Sequence, residues 1–287
     1  MADAPTVLRR RLGAELRRLR EGHGRKLDEV AAELGLVAST LSRIERGQAP
    51  IRTAYLKKLL DMYELTDPAM CHLLIEMARE GHRKAWWSDY DDVLPSGFNI
   101  YLGLEAEAAS IRSYEPTLVH GLLQTSDYAT AVLRELRPRE DEEQLQRMVE
   151  LRMQRQRQRL EDVTPPIDLW LILDEGAIRR VVGGPSVMRQ QLEALIEAAS
   201  RTNVVLQVLS FDSGAHAGMD GPFAIVGFRE PSDPDVAVVD SIGGTQVFLE
   251  KDKEVRTRIE AFDRMRAAAL SPPATIRLIQ SVMSELG

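Results

Sequence analysis

The sequence predicts two domains, an all-α domain of five helices followed by a mixed α+β domain. Length, periodicity and composition carry that expectation. The chain has 287 residues, room for two domains at roughly 100–200 residues each. Apolar residues recur at helical spacing through the N-terminal part, whereas runs of strand type begin only at IDLWLILD, 167–174. Apolar residues make up 44% of the chain and charged residues 28%, the balance of a folded globular protein rather than a low-complexity one. The expected boundaries are a first domain over 1–81, a linker over 82–104 and a second domain over 105–287.

The first element is a helix over 8–21, LRRRLGAELRRLRE, with Leu8, Leu12, Leu16 and Leu19 on one stripe and arginines on the other faces. Gly22–His23–Gly24 breaks it. Two short helical patterns follow, LDEVAAEL over 27–34 and STLSRIERG ending at Gly47, joined at Gly35 in the manner of a helix-turn-helix. Ala31 is small enough for a steep helix crossing, Gly35 tolerates the positive φ of a tight turn, and Leu41 and Ile44 plug the second helix into a core. Ala38, Ser39, Thr40, Ser42, Arg43 and Arg46 are left pointing outward. A hairpin buried in a bundle would not keep that face polar. Short hydroxyl side chains permit close approach to base edges, and an arginine reaches guanine or phosphate.

Two more helices complete the domain. One carries Tyr55, Leu56, Leu59, Leu60 and Tyr63; the other opens on Asp67–Pro68 and runs through Met70, Leu73, Leu74 and Met77. Charge divides near Thr66: residues 1–66 hold 13 Lys/Arg against 9 Asp/Glu, net +4, and the remainder holds 24 against 35, net −11. A polyanion is attracted by local positive charge rather than by overall balance, so a basic first domain on an acidic chain suits a phosphate-facing role. Cys71 is the single cysteine, which excludes a disulfide scaffold and a multi-thiolate zinc site and points to a reducing cytoplasm. No apolar run approaches the ~20 residues of a membrane helix, and the opening MADAPTVLRRR lacks the apolar segment of a secretory signal.

On LDEVAAELGLVASTLSRIERG and the basic first helix, residues 8–66 resemble the lambda-repressor-like, or Xre-type, helix-turn-helix family. The resemblance implies a double-stranded DNA operator as partner, with Ala38, Ser39, Thr40, Ser42 and Arg43 at base edges and Arg17, Arg18, Lys26 and Arg46 on phosphates. The family usually opens its second helix with Thr-Gln; Lys26–Leu27 stands there in this chain, so Lys26 substitutes in charge but not in amide geometry. A capping residue commonly opens the family's recognition helix, where this chain has Val37. Ser39 is then the alternative cap, and less free to meet a base.

The linker, HRKAWWSDYDDVLPSGFNIYLGL, carries Trp86–Trp87 and a Pro-Ser-Gly run. The tryptophans are expected to pack at an interface, with an aromatic ligand cage as the alternative. From Glu105 to about Leu160 the pattern reads as helical, with stripes at Ala129, Val132, Leu133, Leu136 and at Leu145, Met148, Val149. Arg152, Arg155, Arg157 and Arg159 follow the acidic run EDEE at 140–143, as in a solvated, ion-paired helix. IDLWLILD and NVVLQVLSF (203–211) flank a helix bearing Met188, Leu192, Leu195, Ile196 and Ala199, which predicts a parallel pair. FAIVGF (223–228), VAVVDSI (236–242) and TQVFLE have short Gly-bounded connections and predict an antiparallel meander. A last helix pair places Val255, Ile259, Phe262 and Ala269, then Ile279, Val282, Met283 and Leu286, on apolar stripes.

Chemistry-bearing residues gather only in FDSGAHAGMDGPF (211–223), where Asp212, Ser213, His216 and Asp220 share one glycine-rich loop. Catalytic groups normally converge from separate segments, and no G-x-S-x-G elbow, HExxH or metal-spaced His pair accompanies them. The loop reads as a turn or part of a ligand pocket, so no enzymatic activity, metal or cofactor is expected; Trp86, Trp87, His216 and Asp220 are the effector-pocket candidates. Gly183–Gly184 and Gly243–Gly244 lack any GxGxxG or Walker context and read as turns.

Three segments, WWSDYDDVLPSGFNIYLGLEAEAASIRSYEPTLVHGLLQTSDYA (86–129), LILDEGAIRRVVGGPSVMRQQLEAL (171–195) and VLSFDSGAHAGMDGPFAIVGF (208–228), resemble an actinobacterial group of regulators. That group, WhiJ-like and Scr-type antitoxin-like, joins an Xre-type domain to a C-terminal domain of unknown function. His120 is a departure, where the group tends to have Pro. The resemblance implies a sequence-specific transcriptional regulator, a repressor, whose second domain binds a small protein encoded nearby or another effector. The alternatives are an antitoxin-like protein that mainly sequesters such a partner, and a metabolite sensor or hydrolase built on the 211–223 loop. One module buries a modest surface on DNA, so a cytoplasmic homodimer on paired half-sites is expected, with no membrane partner.

Overall fold

The structure is a computed structural model that describes residues 7–80, 85–95, 97–161, 164–230, 233–240 and 246–286. It has the expected architecture, a helical N-terminal domain followed by a mixed α+β domain, whose sheet has six strands among the described residues, one more than expected. Contacts divide the described residues into two compact units, one up to Ser88 together with Asn99–Glu107, the other Asp89–Phe98 with the residues from Ala108 onward. The expected turn Gly243–Gly244, strand residues Ser241 and Ile242, and His82 of the expected linker lie outside the described residues.

The first unit contains α1 (Val7–Gly22), α2 (Leu27–Leu34), α3 (Ala38–Glu45), α4 (Thr53–Met62) and α5 (Pro68–Glu80). Leu12, Leu16 and Leu19 of α1 meet Val30, Ala31 and Leu34 of α2, Leu41 and Ile44 of α3, Leu56, Leu59 and Leu60 of α4, and Leu74 and Ala78 of α5 in one core. The α2–α3 turn is closed by Gly35 at φ 71°, with Gly35 N–H on the Ala32 carbonyl at 3.0 Å and Leu36 N–H on that of Ala31 at 2.8 Å. These bonds satisfy carbonyls that a helix end would otherwise leave open. Trp86 and Trp87 lie edge to face in a 3₁₀ turn, centroids 5.6 Å apart, with Trp87 buried. α6 (Phe98–Glu107) follows, burying Tyr101, Leu102 and Leu104.

The second unit is built on β1 (Ser110–Glu115), β2 (Asp168–Asp174), β3 (Val204–Leu209), β4 (Phe223–Gly227), β5 (Val236–Asp240) and β6 (Gln246–Leu249), in the order β3-β2-β1-β4-β5-β6. β1, β2 and β3 are parallel, and β4, β5 and β6 form the antiparallel meander. The parallel pairs need crossovers. α7 (Ser126–Leu136) and α8 (Glu142–Gln156) join β1 to β2, and α9 (Glu175–Arg179) and α10 (Pro185–Ala198) join β2 to β3. α11 (Asp252–Ala268) sets Phe262 and Met265 against Tyr114, Ile172, Phe223 and Ile225 on one face of the sheet. Residues of the other parity, such as Ile111, Leu171, Leu206 and Val226, are buried as well, as in a sheet covered on both faces. α12 (Pro272–Glu285) closes the outer edge of β3: Val208 N–H donates to Thr275 Oγ1 at 3.0 Å, and Leu270 N–H to the Val208 carbonyl at 2.9 Å.

Two expectations are corrected here. The stretch from Glu105 to Leu160 is not continuously helical: residues 110–115 form β1, between β2 and β4. Its sequence, SIRSYE, alternates too weakly to announce a strand, because Ser113 is buried and spends its hydroxyl on the Phe223 carbonyl at 3.2 Å and the Glu115 carboxylate at 2.8 Å. Nor are Arg152 and Arg155 solvated partners of the acidic run. Arg155 is buried, its guanidinium 5.1 Å from the Phe98 ring centroid. Arg152 donates to Gln124 Oε1, and burial together with Arg155 lowers its pKa to about 10. The acidic run pairs elsewhere, Glu142 with Arg134 at 2.7 Å.

These arginines belong to a polar network that holds residues 119–125. Gln124 Nε2 donates to the Val119 carbonyl at 2.6 Å; Gln156 Nε2 donates to the carbonyls of Gly121 and Gln124 at 3.0 and 2.7 Å. Gln191, fully buried on α10, donates to the Leu123 carbonyl at 2.8 Å and accepts from Thr125 N–H at 2.7 Å. His120 is buried beside them and accepts from Leu122 N–H through Nδ1 at 3.2 Å.

At the end of β1, burial raises the Glu115 carboxyl pKa to about 8 against the lowering effect of the Ser113 hydroxyl, and the Asp240 carboxylate adds to the rise. The folded chain therefore holds a proton there more tightly than the unfolded chain. The stabilisation is complete below the ordinary carboxylate pKa of 4.5 and is lost as pH rises towards about 8. Glu115→Gln is expected to flatten this part of the profile, read as the change in urea midpoint between pH 5 and pH 8.5 for the variant and the parent chain.

Candidate nucleic-acid interface

α3 has eight residues, too few for a helix to persist alone in water, so its position depends on what it packs against. Leu41 and Ile44 anchor it in the core. α1 crosses it at Gly13, where a Cβ would stand 2.5 Å from the Ile44 carbonyl oxygen and 2.6 Å from that of Glu45. The chain leaves α3 through Gly47 at φ 69°, where a Cβ would stand 2.7 Å from Arg10 Cα. Only glycine permits both approaches.

A buried ion pair fixes the same crossing. Arg20 Nε and Nη2 donate to Glu45 Oε1 and Oε2 at 2.7 and 3.0 Å, and Arg20 Nη1 donates to the Arg25 carbonyl at 2.9 Å. The side chains keep only 10% and 3% of their surface exposed. Tyr63 stacks beside His23, centroids 5.9 Å apart. Its hydroxyl is buried without a hydrogen-bond partner among the described residues, and burial and the Glu45 charge raise its pKa to about 12.

With that face fixed, Ser39 and Arg43 are exposed, and Ala38, Thr40 and Ser42 are half-buried. Ala38 also packs against the core. Arg43 makes no side-chain hydrogen bond or ion pair among the described residues, whereas Arg46, also exposed, donates through Nε to the Ser42 carbonyl at 3.2 Å. Ser39 does not cap α3. The N-cap is Val37, with no side-chain cap, and its carbonyl accepts from Thr40 N–H at 2.9 Å. Lys26 is exposed at the start of α2, its backbone N–H donating to Glu29 Oε2 at 3.2 Å. Arg17 and Arg18 pair along α1 with Glu21 at 2.8 Å and Glu15 at 2.5 Å. The five base-edge candidates thus share one helix; the phosphate candidates are spread over α1, the start of α2 and the end of α3.

Residues 11–73 match a helix-turn-helix domain, and residues 98–281 match a family described as a domain of unknown function, DUF5753. The chain belongs to the DUF5753 family. No curated protein and no solved structure matches it. The helix-turn-helix match supports a DNA-binding regulator. No helix among the described residues is long and apolar enough to cross a membrane.

Within the DUF5753 region the loop residues expected to cluster take separate partners. His216 Nε2 lies 3.9 Å from Asp174 Oδ2, and its ring meets Tyr114 edge to face at 5.6 Å. Tyr114 donates to the same Asp174 oxygen at 3.3 Å. Asp220 instead accepts from Arg258 at 2.7 Å, and Ser213 lies 3.4 Å from Ser210 Oγ. Of the effector candidates, Trp86 and Trp87 belong to the first unit, His216 and Asp220 to the second.

Sequence reasoning placed Gly47 only at the end of a helical pattern, and did not find Gly13, Arg20 or Glu45, nor the exposed cations Arg52, Lys57 and Lys58 around α4. A visible signal for Glu45 was one carboxylate set between Arg43 and Arg46 on an otherwise basic face. Arg20→Met leaves Glu45 buried without its cation and is expected to destabilise the N-terminal unit by about 3–5 kcal/mol in denaturant unfolding, with Arg20→Met/Glu45→Leu recovering most of the loss.

Proposed function

We propose that the protein is a sequence-specific transcriptional repressor of the WhiJ-like and Scr-type antitoxin-like group, working in the cytoplasm as a homodimer. In this reading α3 enters the major groove. Ala38, Ser39, Thr40, Ser42 and Arg43 meet base edges, and Arg17, Arg18, Lys26 and Arg46 hold phosphates. The observation that carries it is the exposure of Ser39 and of an Arg43 unpaired among the described residues, on a helix whose opposite face, Leu41 and Ile44, is buried. A helix presenting hydroxyls and a guanidinium beside a buried anchor suits direct base readout. Dimerisation follows from the modest area one such module buries on DNA. The DUF5753 domain then serves as the receiver of a small partner protein rather than as an enzyme, which accords with the separate partners of Ser213, His216 and Asp220.

The test is selection of duplexes from a random pool by the full chain, followed by titration of the enriched duplex. Arg43→Ala/Ser39→Ala is expected to lower affinity for that duplex about 30-fold or more, since each side chain withdrawn from a base edge costs about 1–3 kcal/mol, with an unchanged circular dichroism spectrum. Arg46→Gln is expected to weaken binding to all duplexes alike and to reduce the salt slope by about 1. A pool that enriches no sequence, or a double variant that binds as the parent does, overturns the reading.

A further inference from the structure

The strongest unexplained feature of the first unit is an apolar side chain at the tip of α3. Val37 is 67% exposed, more than any other large apolar residue of that unit among the described residues, Leu73 being next at 47%. Its neighbours Leu36 and Ala38 both pack against the core; Val37 does not. It also occupies the N-cap, at φ −81° and ψ 145°, with no side-chain cap. Ser, Thr, Asp or Asn there would satisfy an open amide of the first turn, and an aliphatic side chain satisfies none. The residue thus departs from two local preferences at once, an exposed aliphatic side chain and an uncapped helix start. Such departures concentrate where a partner completes the environment.

We propose that Val37 is a specificity-determining residue that reads thymine, its isopropyl group packing on the C5-methyl group in the major groove. The inference rests on the regulator reading above. The N-terminal end of a recognition helix is the part that approaches base edges, and Val37 immediately precedes Ala38 and the exposed Ser39. Among the groups that base pairs present in the major groove, donors and acceptors suit the serines, Thr40 and Arg43. The thymine methyl is the one apolar group there, and the complement of an aliphatic side chain. The operator half-site accordingly carries a thymine at the position facing the start of α3.

Duplexes selected by the full wild-type chain are resynthesised with single thymines replaced by deoxyuridine, which removes only the methyl group. One thymine per half-site is expected to lose about fourfold in affinity on that change, the worth of one buried methyl. With Val37→Ala, whose single methyl makes a smaller contact, the same replacement is expected to cost clearly less than in wild type. Val37→Ser supplies a cap and removes the apolar contact, so its melting temperature is expected to rise by about 2–4 °C while affinity for the thymine-bearing duplex falls. The inference is overturned if deoxyuridine costs wild type and Val37→Ala equally, if it costs neither, or if Val37→Ser binds as tightly as wild type. Failure of the wild-type chain to enrich any sequence would instead sink the regulator reading, and this inference with it.

Discussion

The polar face of α3 can stand in solvent because Arg20 and Glu45 hold the other side of the helix in place. Two turns of helix have little intrinsic stability, and Leu41 and Ile44 set depth more firmly than rotation. The guanidinium removes that freedom. Its paired bonds to Glu45, at 2.7 and 3.0 Å, fix α3 about its own axis, and its bond to the Arg25 carbonyl ties in the segment leading to α2. A buried ion pair is weak evidence for net stability, since desolvation opposes the Coulomb attraction. Its contribution here is to register, and the close approach at Gly13 sets the distance at which that register operates.

The DUF5753 domain solves a different problem with amides. Residues 119–125 run between β1 and α7 with carbonyls that no ladder satisfies, and buried backbone groups must find partners. Gln124, Gln156 and Gln191 supply them, each side chain able to donate and accept. Gln124 and Gln191 come from two of the segments that resemble the regulator group, which explains in physical terms why a polar residue stands in each. A second convergence joins Tyr114, Asp174 and His216, one from each segment. The motifs are far apart in sequence and meet at the ends of neighbouring strands.

Much of this was legible in the sequence. The five helices, the Gly35 turn, the outward Ser39 and Arg43, the parallel β2–β3 pair and the antiparallel meander all follow from spacing, because burying one face leaves a periodic trace. β1 was not legible: a central strand with Arg112 and Ser113 in its middle lacks that trace, and its buried serine is tolerated only through hydrogen bonds made after folding. Arg152 and Arg155 misled for a related reason. Charged residues near an acidic run look solvated, and only the fold shows backbone carbonyls and glutamines turning one helix face into a polar interior. Arg20 and Glu45 are separated by 25 positions, which no local pattern can connect.

Charge arithmetic over the first 66 residues gives +4, but formal charge is not the quantity that a phosphate meets. Arg17 and Arg18 already have carboxylates at 2.8 and 2.5 Å on exposed surface. Exposed pairs within a helix are worth only about 0.3–0.5 kcal/mol, so a phosphate can displace Glu21 or Glu15 at small expense. Arg20 cannot be drawn away, since its carboxylate is buried with it. Arg43, Arg52, Lys57 and Lys58 have no such partner among the described residues and present their charge directly. Cations of different standing therefore coexist in one small domain, among them Arg20 locked for structure, two pairs held loosely along α1, and a set on α3 and around α4 without such partners among the described residues. In the regulator reading proposed above, the last two, together with Lys26 and Arg46, would supply counterion release, through a positive field local enough to act although the chain as a whole is acidic.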